Sequence, residues 1–171
     1  MAADASSGVA PHLVAIGLGS NRRHVRHGAP RQVVLAAAAF LAANGLDPLG
    51  QSRVIETAPM GPRQRRFANA VMLGCWHGTP ASLLVLLKAT ERAFGRRVAR
   101  RWGPRVLDCD LLLFGGLVIR QKQLRVPHPG LPERRFVLDP LEMVLPSWRH
   151  PRTGLTVRQM AARLARRRPV D

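Results

Sequence analysis

Residues 106–114 read Val-Leu-Asp-Cys-Asp-Leu-Leu-Leu-Phe, VLDCDLLLF. Apart from Asp108 and Asp110 the run is apolar, and Gly115-Gly116 closes it with a turn, so it reads as a buried strand. Residues two apart on a strand project to the same face, which sets the two carboxylates side by side. Upstream, Thr79 is an N-cap with Pro80 at the first helical position, opening a helix that runs to about Phe94 and stops at Gly95. Before it come a strand from Phe67 to Trp76, the irregular Ala58-Pro59-Met60-Gly61-Pro62, and a strand from Ser52 to Thr57. Further back lie an Ala/Leu-rich helix from Gln32 to Ala43, ended by Asn44-Gly45, and a strand from His12 to Gly17 (HLVAIG). Leu18-Gly19-Ser20-Asn21 is expected to punctuate the chain as a tight turn.

The order is therefore β-α-β-β-α-β, with the 106–114 strand as its last member. That is the order of a ferredoxin-like unit, an α+β fold with two helices packed on one face of an antiparallel sheet. Beyond it, Val118 to Gln123 is expected to pair back as a hairpin. Val126 to Pro132, with three prolines, is expected as loop. Arg134 to Val144 reads as a short helix or set of turns, and Thr156 to Arg168 as a basic C-terminal helix.

Neither repeat nor linker divides the 171 residues, so residues 12–171 are expected as one domain after a flexible 1–11 leader. The leader is Ala/Ser/Gly-rich and lacks the basic-then-apolar pattern of a secretory signal. No apolar run reaches the ~18 residues of a membrane span. The two cysteines, Cys75 and Cys109, sit in apolar runs, as expected of reduced thiols in the cytoplasm. No Cys/His spacing suits zinc. With 27 basic and 10 acidic residues the net charge is +17, almost all of it from arginine. Such a surface recruits polyanions, and it equally follows from an arginine-rich composition.

The chemistry gathers around Asp108 and Asp110. Two desolvated carboxylates repel each other unless cations stand between them. Mg²⁺ accepts one or two carboxylates and completes its shell with water and phosphates. Salt bridges to Arg101 and Arg105 are the other reading of the same residues. The loop just before them, with Arg96, Arg97, Arg100, Arg101 and Arg105, carries guanidinium forks suited to phosphate and contains Gly95 and Gly103. Gly17-Leu18-Gly19-Ser20-Asn21 lacks the Gly-Lys-Ser/Thr of a phosphate loop. Phe67 and Phe136 border loops and suit a flat heterocycle between them. Asn69, on the same strand face as Phe67, offers a donor and an acceptor to such a ring's edge. His128 stands between two prolines in a rigid loop.

Together these segments resemble the 6-hydroxymethyl-7,8-dihydropterin pyrophosphokinase family. The resemblance rests on Gly19-Ser20-Asn21, Thr57-Ala58-Pro59-Met60-Gly61-Pro62, Phe67-Ala68-Asn69-Ala70, and Arg101-Trp102-Gly103-Pro104-Arg105-Val106-Leu107-Asp108-Cys109-Asp110-Leu111. Val126-Pro127-His128-Pro129 and Arg134-Arg135-Phe136 complete it, in the family's order. It implies diphosphate transfer from ATP to the pterin hydroxymethyl group, with AMP leaving, as a step of folate biosynthesis. It further implies two Mg²⁺ on Asp108 and Asp110, with Arg96 and Arg105 engaging phosphates. Thr57, Ala58, Met60, Phe67, Asn69 and Phe136 would hold the pterin. Lys88, Glu91, Trp102, Arg105, His128 and Arg134 would hold ATP. A monomer working on small molecules is expected, with no obligatory nucleic acid and no membrane. Lys88 stands where the family has Gln, Gln123 where it has Arg, and Pro129 where it has an aromatic; the 96–102 loop is one residue short.

Other classes fit less well. An RNA-binding module shares the element order but stacks bases on central-strand aromatics. Here HLVAIG has none and the chain has no Tyr. A palm-like nucleotidyltransferase or nuclease wants a third acid, for which Glu91 is the one candidate. A pyrophosphokinase acting on a variant pterin is the nearest alternative.

Overall fold

The computed structural model describes residues 10–58, 65–95 and 106–166. The elements are β1 (His12–Ser20), α1 (Pro30–Ala43), β2 (Asp47–Gln51), β3 (Ile55–Thr57), β4 (Phe67–Trp76), α2 (Pro80–Ala93) and β5 (Asp108–Phe114). A small hairpin, β6 (Ile119–Arg120) and β7 (Arg125–Val126), precedes α3 (Arg135–Val144) and α4 (Val157–Arg166). The main sheet runs β2-β4-β1-β5 with antiparallel neighbours, and β3 continues along β4 beyond β2. This is the expected ferredoxin-like arrangement, with the first strand and β4 at its centre.

Several helix boundaries have a local cause. The Thr79 side chain accepts the Ser82 N–H at 3.1 Å, the N-cap expected from Thr79-Pro80. Gly45 and Gly95, at φ +100° and +76°, turn the chain where α1 and α2 end. Thr156 and Gln159 cap each other ahead of α4: the Gln159 N–H donates to Thr156 Oγ1 and the Thr156 N–H to Gln159 Oε1.

Alternation along the strands then builds two cores. Val14, Ile16 and Leu18 of β1 and Ala68, Ala70 and Met72 of β4 meet Val33, Val34, Ala37 and Leu41 of α1 and Leu83 and Leu87 of α2. Ala15, Val71, Leu73, Leu112 and Leu113 face the other way, against Leu138 and Leu141 of α3 and Val157 and Met160 of α4. A fully buried leucine such as Leu87 contributes roughly 1.5–3 kcal/mol. Helices thus cover both faces, where the sequence order accounted for one. The physical reason is that β4 and β5 are apolar on both sides, and such a sheet needs two covers.

Four segments differ from expectation. β1 runs through Leu18, Gly19 and Ser20, paired with β4 as far as Ser20↔Ala68, so there is no turn at Gly17–Gly19. β2 forms from Asp-Pro-Leu-Gly-Gln; it is an edge strand, where a proline's missing N–H does least harm, and its register shifts between Pro48 and Gly50. The 52–57 strand shrinks to β3, because Ser52 replaces a ladder contact: the Val71 N–H donates to Ser52 Oγ at 2.9 Å. Residues 118–123 pair forward, Ile119 with Val126, instead of back onto β5, so Val126 is strand before the cis Val126–Pro127 bond.

Candidate active site

The strand register assembles the site. Directly paired residues share a face, and one row crosses the sheet as Ile55 (β3), Asn69 (β4), Gly19 (β1), Asp108 (β5). The next row on that face is Val71, Gly17, Asp110. Two strand spacings put the Asn69 and Asp108 backbones about 10 Å apart. Gly19 lies between them and puts no side chain there, while the Leu112 side chain packs over Gly17 in the next row. The sequence reading expected Gly19 in a turn; a glycine inside a strand more often marks close approach by another group.

Both aspartates are half-buried. Burial, and then the charge of Asp108, push the Asp110 carboxyl above its ordinary range, while His128, Lys88 and Arg134 pull it back. Those cations belong to the helix before the strand and the loop after it, so the strand–loop geometry gathers them around one acid. Among the described residues no Lys, Arg or His makes an ion pair with Asp110 within 4 Å. Nor do three His, Cys, Asp or Glu side chains form a metal cage among those residues. Two adjacent hard-oxygen donors fit Mg²⁺, which takes few protein ligands and completes its shell with water and phosphate oxygens.

A bulge in β5 places His128. Ile16 pairs with Leu111 and Ala15 with Leu113, leaving Leu112 as the extra residue. The Leu112 carbonyl accepts the His128 N–H at 2.8 Å and so ties the Pro127–Pro129 loop to the acid strand. The Gly130 N–H donates to His128 Nδ1 at 3.1 Å, which leaves Nε2 as the ring's N–H donor. Burial lowers the His128 pKa, and Asp110 opposes that.

Glu91 is 2% exposed and reaches β5 from α2. Its Oε1 accepts the N–H of Cys109, the residue between the aspartates, at 3.0 Å. Its Oε2 accepts from Lys88 Nζ, also at 3.0 Å. Lys88 is thereby anchored on Glu91. Burial, followed by Glu91 and the two aspartates, drives the Cys109 thiol well above its ordinary pKa, so it is an inert core group.

A second group of side chains lies on the same face. Thr57 pairs with Phe67 across β3 and β4, and Asn69 Nδ2 donates to Thr57 Oγ1 at 2.8 Å. Asn69 is 7% exposed, Phe67 is half-buried and Ala58 is exposed. Phe136, in the first turn of α3, packs beside the second core with Arg134 Cζ 5.8 Å from its ring centre. Among the described residues no ring contact joins Phe67 to Phe136, so the two do not close on each other. The structure thus brings together Thr57, Phe67 and Asn69 on one side, and Lys88, Glu91, Asp108, Asp110, His128 and Arg134 on the other. Met60, Arg96, Trp102 and Arg105 lie outside the described residues.

A ferredoxin-like domain with paired strand carboxylates and neighbouring cationic side chains fits the class of phosphate-group transferases. The comparisons define it further. The profile of the 7,8-dihydro-6-hydroxymethylpterin-pyrophosphokinase (HPPK) family matches residues 15–146, and the chain belongs to that family. It is 35% identical over 149 residues to the 2-amino-4-hydroxy-6-hydroxymethyldihydropteridine pyrophosphokinase of Synechocystis, covering 87% of this chain and 74% of that one. To the protein of the same name from Pseudomonas aeruginosa it is 36% identical over 145 residues, 81% and 83% of the two chains. The crystal structure of Plasmodium falciparum HPPK-DHPS wild type matches with a TM-score of 0.72 at 14% identity. That match covers 92% of this chain and 45% of the Plasmodium chain, and shows the shared fold. The chain is a pterin pyrophosphokinase: it transfers the pyrophosphoryl group of ATP to hydroxymethyldihydropterin in folate biosynthesis.

Proposed function

We propose that Asp108 and Asp110 hold two Mg²⁺ ions and that the dihydropterin lies between Phe67 and Phe136 with its edge on Asn69. The observation that carries this reading is the row Asn69–Gly19–Asp108, which sets slot and acid pair on one face about two strand spacings apart. The bound ions would neutralise and align the ATP phosphates. Phe67 and Phe136 stack the flat ring, with Thr57, Ala58 and Met60 completing the pocket. Asn69, fixed by Thr57, orients the ring so that its hydroxymethyl oxygen faces the β-phosphorus. That oxygen attacks and gives its proton to water, the bond from the β-phosphorus to the oxygen it shares with the α-phosphate breaks, and AMP leaves with that oxygen. Lys88 and Arg134 place positive charge around the phosphates, joined by Arg96 and Arg105, and His128 donates a hydrogen bond through Nε2–H; Glu91 contributes by holding Lys88 and the Cys109 amide, and Trp102 borders the nucleotide.

Among the described residues no helix is long and apolar enough to cross a membrane, in keeping with a cytoplasmic enzyme. Residues 12–171 act as one domain and as a monomer in this reading, on small molecules alone. Replacing Asp110 with alanine tests the assignment. Mg²⁺-dependent AMP formation falls more than a hundredfold while the circular dichroism spectrum is kept; activity within tenfold of the parent refutes the metal role.

A further inference from the structure

The dihydropterin slot has a positioning device in a residue with no side chain. Asn69 Nδ2 is committed to Thr57 Oγ1 at 2.8 Å, so the amide presents its NH₂ toward β3 and its Oδ1 toward β1. A Cβ built on Gly19 would meet one neighbour within 4 Å, that same Asn69 Oδ1, at 3.2 Å. The contact is tighter than ordinary van der Waals packing, and the oxygen would have to give by a few tenths of an ångström.

The fold does not ask for glycine at this position. Gly19 is an extended strand residue paired on both sides, outside the left-handed region, and a glycine inside a strand weakens it. Gly74 is the contrast: a Cβ there would strike the Asp47 carbonyl and Leu46 Cγ at 2.8 Å, so that glycine serves packing. We infer that Gly19 is a positioning residue for ring recognition: its missing side chain keeps the Asn69 carbonyl oxygen where it accepts from the heterocycle. This rests on the slot reading above and assigns a residue which that reading leaves out.

The experiment uses the full chain with Mg²⁺ and a non-hydrolysable ATP analogue, titrated with 6-hydroxymethylpterin by fluorescence. Gly19→Ala binds the pterin about tenfold more weakly, the equivalent of one displaced hydrogen bond. Its nucleotide affinity is unchanged, its melting temperature is equal or higher, and in turnover its pterin KM rises more than kcat falls. In an Asn69→Ala background the same substitution costs nothing further, because the oxygen it displaces is gone. Gly50→Ala, on the far edge strand where an added Cβ meets no described atom within 4 Å, changes none of these. Parental pterin affinity in Gly19→Ala overturns the inference. So does a loss of stability, or an equal loss of affinity with and without Asn69. Failure of the parent chain to bind the pterin sinks the slot reading itself, which separates the two.

Discussion

Replacing Glu91 with alanine removes the acceptor that holds the backbone between the two aspartates. The cost follows from the geometry. The Cys109 N–H is buried and donates to Glu91 at 3.0 Å; left without a partner, such a group costs about 1–3 kcal/mol. The Lys88 pair adds little, because that ammonium is 46% exposed and water replaces the carboxylate. A loss of about 1–3 kcal/mol lowers the melting temperature of a chain this size by roughly 2–12 °C. Glu91→Gln keeps a neutral acceptor for the amide and loses less. The site-specific assay is amide hydrogen exchange: the Cys109 amide exchanges faster in Glu91→Ala and stays protected in Glu91→Gln. Parental Cys109 protection and melting temperature in Glu91→Ala would refute the argument that α2 holds the acid strand through this bond.

Two further outcomes follow from the same geometry. Phe136→Ala weakens pterin binding about two- to tenfold through lost stacking while leaving ATP binding near the parental value; equal losses for both ligands would discredit the clamp. In metal-free protein, the Asp110 carboxyl titrates above its unfolded value of about 3.9 because of burial and Asp108. The native state then holds more protons than the unfolded chain, so this group's contribution to stability falls as pH rises from about 4 through the raised native value. Asp110→Asn removes that fall, and melting curves in EDTA that stay parallel for parent and variant across the range would contradict it.

Legibility in the sequence tracked how local the cause was. Thr79-Pro80, Asn44-Gly45 and Gly95 fix α1 and α2 through neighbouring atoms, and their boundaries were read nearly to the residue. Asp108 and Asp110 stood out because charges inside an apolar strand demand a partner. Glycine misled where tertiary pairing overrode local preference, at Gly19 inside β1, and β2, with Pro48 and Gly50 in it, carried no strand signal. The cover on the second face was illegible because Pro140 interrupts the α3 pattern, and only packing against Val71 and Leu113 shows the helix's purpose. Glu91 drew notice for the nucleotide site, yet its bond to Cys109 spans 18 residues and leaves no mark in spacing. The bulge at Leu112 that anchors His128 is equally silent in an unbroken leucine run.

The central claim is that neighbouring aspartates carry the divalent ions on which ATP is presented to the pterin. A crystal structure of the chain with Mg²⁺, a non-hydrolysable ATP analogue and 6-hydroxymethylpterin tests it most directly. The account predicts ions bridging Asp108 and Asp110 to the phosphates, with the ring between Phe67 and Phe136. Both aspartates turned onto guanidinium groups, with nucleotide bound and no ion beside them, would contradict it.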